Sequence, residues 1–116
     1  YRADISAIGN QGDFESALIL VHEATHAWQM QNHVDVNHDE WAIRLKYQSD
    51  PATAYSLKAV TAKTTWADLN IEQQGELVAR DWALTQGPKR FALPPLLATP
   101  VPIKTMQSII PFLAKR

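Results

Sequence analysis

His22-Glu23-Ala24-Thr25-His26 sets two imidazoles four residues apart, with a carboxylate next to the first. On a helix that spacing brings both rings to one face, about 6 Å apart, so both can reach a single ion. Glu23 projects from the same side but farther round, where a carboxylate can contact a metal-bound water without being a ligand. Residues of these types in this order point to metal-assisted hydrolysis. Zinc would lower the pKa of a bound water toward neutrality, Glu23 would take its proton and return it to a leaving amine, and the water oxygen would attack a polarised amide carbonyl. The competing explanation is coincidence, with His22 and His26 as unrelated residues of an ordinary helix.

Two histidines are too few for a catalytic zinc, which takes three protein ligands and keeps a position for water. His33 and His38 fit the extended HExxHxxGxxH pattern poorly, and Gln29 stands where that pattern has its glycine. The better source is Glu72-Gln73-Gln74-Gly75-Glu76, whose carboxylates lie one helical turn apart on the same face. One of them could bind the ion while the other orients a histidine. Helix geometry favours Glu72 as the ligand, since it sits in the first turn and can extend past the helix end, with Glu76 as the orienting group. Gly75, Ala79 and Ala83 form a stripe of small side chains. A mid-helix glycine costs about 1 kcal/mol relative to alanine, and close approach of two helices would explain it. Two solvated glutamates at an ordinary acidic helix start are the plainer alternative.

The elements that must position these groups follow from periodicity. Phe14, Ala17, Leu18, Val21, Ala24, Thr25 and Trp28 recur at helical spacing, so a helix is expected over 13–31 with Asp13 as its N-cap. Asn32 to Glu40 reads as a polar loop. Trp41, Ile43, Leu45 and Tyr47 then alternate with polar or small residues in the period of a half-buried strand, although a short helix could carry them. Ser49-Asp50-Pro51 should turn the chain, and Ala54 to Val60 could return as a second strand or form a short helix. A second helix is expected over 71–86, opened by Asn70 with Gln73 three residues later and closed by Gly87-Pro88. Pro94, Pro95, Pro100 and Pro102 impose an extended path on the C-terminal tail. Ile103, Met106 and Ile110 suggest an amphipathic turn there, packed on the body. The expected class is α+β, helix-dominated, with a small strand or hairpin element and a Pro-rich tail.

Bulk properties narrow the partners. A chain of 116 residues is the length of one domain, 1–116, and its start at Tyr1 without an initiator Met suggests a piece of a longer protein. A 46% hydrophobic share with four Trp, three Tyr and three Phe suits a chain that buries a core. A net charge of −1, with no basic cluster longer than Lys89-Arg90, speaks against nucleic acid as a partner. The longest apolar run is far short of a membrane span. With no cysteine, any ion must be held through His, carboxylate and water.

Leu20-Val21-His22-Glu23-Ala24-Thr25-His26-Ala27-Trp28-Gln29, taken with Asn70-Ile71-Glu72-Gln73-Gln74-Gly75-Glu76, resembles a bacterial family of zinc metallopeptidase domains. That family occurs with type VI secretion, as effector domains joined to or carried by VgrG spike proteins. The similarity spans about Leu18 to Leu84 and includes a tyrosine at the position of Tyr55. More broadly the pattern is similar to gluzincins, whose zincin-like two-helix site pairs HExxH with a Glu ligand and an acidic residue four positions on. The resemblance implies one zinc ion per chain on His22, His26 and Glu72, with Glu76 behind them. It also implies a protein or peptide substrate, a VgrG spike and a cognate immunity protein as partners, and action in a target-cell periplasm or a host cell. Where the family usually has alanine this chain has Gly75, a departure expected to leave the chemistry intact.

An oxyanion needs a further donor, and Tyr55, Tyr47, His33, His38 and Arg80 are all chemically able. The resemblance favours Tyr55. Each also has an ordinary reading: packed tyrosines, solvated loop histidines, and an arginine paired with a nearby carboxylate. Trp28, Trp41, Trp66 and Trp82 are expected in the core. The alternative to an enzyme is a zinc-binding structural or interaction module that keeps the ligands without turnover.

Overall fold

The computed structural model describes residues 11–86 and 101–112. Every regular element among them is helical: α1 (Gln11–Gln31), α2 (Val36–Lys46), 3-10 turns at Pro51–Tyr55 and Trp66–Asp68, α3 (Ile71–Thr85) and α4 (Ile103–Ile109). The helix-dominated expectation holds and the strand or hairpin does not. Asp35 is the reason, because its side chain accepts from the amide of His38 and starts a helix inside the expected loop. Once α2 is helical, its inward face is Val36, Glu40, Ile43 and Tyr47, spaced by four, three and four residues. The alternating Trp41 and Leu45 are left outside, with Trp41 60% exposed rather than in the core. Ala54 to Val60 likewise forms no strand, the helical alternative being realised in part by the Pro51–Tyr55 turn.

α1 already includes Gln11, so Asp13 lies within the helix and is not its cap. One glycine at position 12 costs a helix only about 1 kcal/mol, too little to stop it. The far end closes with Val34 N–H on the Gln29 carbonyl and His33 N–H on that of Met30, the double bond of a Schellman end. The residue in the left-handed region there is His33, with φ of 67°, where glycine is the usual occupant.

α3 starts where the sequence places it. The Asn70 side chain accepts from Gln73 N–H at 2.7 Å, and Gln73 Oε1 accepts from Asn70 N–H at 2.9 Å. The same two side chains donate to the carbonyls of Ala54 and Ser56, at 3.1 and 3.0 Å. The cap thereby fastens the Pro51–Tyr55 turn beside the first turn of α3. The glycine and proline expected to end this helix, Gly87 and Pro88, and the tail prolines Pro94, Pro95 and Pro100 lie outside the described residues.

α1 packs most extensively on α3. Behind α3 a core of Leu57, Leu69, Leu77, Val101, Met106, Ile109 and Ile110 brings in α4, as expected for Met106 and Ile110. Ala17 and Ala83 meet between the helices, with Leu18 and Trp82 against them. Trp28, Trp66 and Phe112 pack edge to face, at centroid distances of 5.1 to 6.4 Å.

Candidate metal centre

His22, His26, Glu72 and Glu76, drawn from the middle of α1 and the start of α3, meet at one place. His22 Nε2 lies 3.2 Å and His26 Nε2 2.6 Å from the same oxygen of Glu72. The outer nitrogens are engaged as well: His22 Nδ1 is 3.2 Å from Glu76 Oε1, and His26 Nδ1 is 2.8 Å from Gln29 Oε1. An acceptor on each Nδ1 fixes the ring with a proton there and aims Nε2 at Glu72, where it donates to the carboxylate in this structure and could offer its lone pair to an ion instead. Both histidines and Glu72 are buried.

Gly75 makes this approach possible. A Cβ at that position would lie 2.8 to 2.9 Å from Cε1, Nδ1 and Nε2 of His22, so the ring occupies the space a side chain would need. The small-residue stripe of α3 is therefore a seat for an imidazole as well as a helix contact, and the substitution of glycine for alanine here bears directly on a candidate ligand.

The charges of the site depend on one another. Burial disfavours ionised Glu72, but hydrogen bonds from His22, His26 and Tyr55 outweigh it and hold its carboxyl well below the usual range. Burial likewise disfavours charged His22, yet hydrogen bonds to Glu72 and Glu76 push its pKa up to about 9. His26 is shifted upward too, against burial, by Glu72 and Gln29. Desolvation, followed by the hydrogen bond to Glu72, pushes the Tyr55 hydroxyl up to about 12. Opposed ionic groups this tightly grouped are what a cation could replace as the common partner of Nε2 and carboxylate. Donor atoms of His22, Glu23 and His26 lie within 4.8 Å of one another, as do those of His26, Glu40 and Glu72. Imidazole and carboxylate donors without thiolate fit a borderline or hard divalent ion.

The centre opens into a cleft of about 510 Å³ between α1, α2, the Pro51–Tyr55 turn and α3. Glu23, exposed on α1, lines it beside His22. Of the candidate donors, Tyr55 and Tyr47 face the cleft. His33 is exposed in the α1–α2 connection, His38 is exposed beside Asp39, and Arg80 pairs with Glu76 at 3.6 Å.

Sequence reasoning passed over three residues. Gln29 holds His26 and donates to Gln74 Oε1 at 2.7 Å and to the Ile71 carbonyl at 3.2 Å. Gln74 in turn donates to the carbonyls of Trp66 and Leu69. The signal for Gln29 was its spacing, since 22, 26 and 29 share one helical face. Glu40 was hidden by the loop assigned to its segment. Comparison with protein-family models, with curated proteins and with solved structures found no match for this chain.

Proposed function

We propose that this chain is a zinc-dependent metallopeptidase domain of gluzincin type, with His22, His26 and Glu72 as ligands and Glu23 as the catalytic base. The observation that carries the reading is the shared approach of both Nε2 atoms to one Glu72 oxygen while Glu76 and Gln29 occupy the Nδ1 atoms. When bound, the ion supplies Lewis acidity toward a water and a carbonyl oxygen. Glu23 accepts the water proton and delivers it to the leaving amine. Tyr55, which lines the cleft and hydrogen-bonds Glu72, donates its hydroxyl hydrogen to the developing oxyanion. Glu76 and Gln29 keep the rings from turning.

An extended polypeptide suits an open cleft flanked by Ile43, Tyr47 and Pro51, which supports a protein or peptide as substrate. Delivery by type VI secretion with a VgrG spike, action in a target-cell periplasm or host cell, and control by an immunity protein complete the proposal, and the sequence resemblance alone supports them. No described helix is long and apolar enough to cross a membrane.

The test is metal analysis of purified protein combined with hydrolysis of an unfolded protein substrate. The expected result is about one zinc per chain, with Glu23→Ala retaining zinc and losing hydrolysis. A fully active Glu23→Ala protein would leave only a zinc-binding module.

A further inference from the structure

Glu40 has no role in the ligand set above, yet it is placed toward it. Asp35 and the buried Val36 fix the first turn of α2, and Glu40 follows one turn later on the same inward face. Its carboxylate lies within 4.8 Å of donor atoms of both His26 and Glu72, and it lines the cleft together with Tyr55. The side chain is half-buried in the cleft wall, where the described residues offer it no hydrogen bond or ion pair. Its carboxylate faces that of Glu72, and two like charges this close repel. A cation between Glu40, Glu72 and the imidazoles removes that repulsion.

We propose that Glu40 is a fourth protein donor to the ion, presented by α2, so that the resting site is closed by His22, His26, Glu72 and Glu40 and opens when Glu40 withdraws as the cleft fills, leaving its place to a water. The inference rests on the reading of this site as a metal centre and adds a control to it. Four protein donors complete the tetrahedral shell of a structural zinc, whereas a catalytic zinc has three and a replaceable water. α2 would thus hold the site latent until the cleft fills, and Glu40, once released, would remain beside Tyr55 in the cleft wall.

The experiment uses the cobalt-substituted protein with azide as the probe, since a small anion replaces a metal-bound water easily and a protein carboxylate with difficulty. The visible spectrum of wild-type protein should resist azide. Glu40→Gln should respond at an at least ~10-fold lower azide concentration and should bind Co2+ at least ~10-fold more weakly in chelator competition. Glu40→Asp, one methylene shorter, should fall between them, and far-UV circular dichroism establishes that each variant is folded. Equal azide response and equal metal affinity in wild type and Glu40→Gln would overturn the role of Glu40 while leaving the metal centre standing. Failure of wild-type protein to take up Co2+ at all would overturn the metal centre and this inference with it.

Discussion

The imidazole of His22 lies where the side chain of residue 75 would be: a Cβ on Gly75 would come within 2.8 Å of its Cε1. Ring and helix backbone are in direct contact, and the orientation of a candidate ligand depends on the absence of one methyl group. Gly75→Ala should therefore act on stability and metal binding together. The added helix propensity, about 1 kcal/mol, is offset by moving the buried ring off Glu72 and Glu76, so the metal-free protein should gain no stability, and metal affinity should fall by about 10-fold or more. Thermal melts of the metal-free protein and chelator competition on the same samples check both halves. Unchanged affinity would show that His22 yields to the methyl group without moving its Nε2.

Glu72 and Glu76 approach opposite nitrogens of the same ring, and their loss should differ accordingly. Glu72→Ala should be nearly metal-free. Glu76→Ala should bind about 10–100-fold more weakly, because only the support of the ring is lost. His22→Ala and His26→Ala should resemble Glu72→Ala. If Glu76→Ala lost the ion and Glu72→Ala kept it, the two roles would be exchanged.

Gln29 is 0% exposed and serves both His26 and the start of α3. Gln29→Ala should lower the stability of the metal-free protein by about 1–3 kcal/mol, because the Gln74 and Ile71 oxygens lose their buried donor. It should also weaken metal binding by about 10–100-fold through the freed His26 ring. Urea denaturation and metal competition measure the two effects separately.

His33 occupies a backbone region that glycine enters without steric cost. His33→Gly should stabilise the fold by about 0.5–1 kcal/mol, the relief of the left-handed conformation exceeding the entropy added to the unfolded chain. Metal affinity should not change, since the imidazole is exposed and outside the cleft. A destabilised variant would mean that the His33 ring contributes more than its backbone costs.

The parts legible in sequence were those set by local chemistry. The HExxH spacing fixes a helical face, and Asn70 with Gln73 fixes a helix start, so α1, α3 and the gathering of His22, His26, Glu72 and Glu76 could be read from pattern. α2 could not, because Trp41, Ile43, Leu45 and Tyr47 alternate as a strand would, while the Asp35 cap and the Val36, Glu40, Ile43 and Tyr47 face decide for a helix. An apolar alternation predicts a strand only if a partner strand covers it, and among the described residues no strand exists to do so. Gln29 and Gln74 escaped for another reason. Gln29 shares the face of His22 and His26, but its bonds to Ile71 and Gln74 reach 42 and 45 positions along the chain, and polar contacts at that range leave no periodic trace.

The pairing of His22 with Glu72 spans 50 positions of chain. An ion shared by them would act as a staple between α1 and α3, present in the folded chain and absent from the unfolded one. Free metal at a hundredfold excess over its dissociation constant would add about 2.7 kcal/mol to the folding free energy. The lifetime of the chain against digestion would then track the metal around it: durable in a replete medium, short in a chelating one.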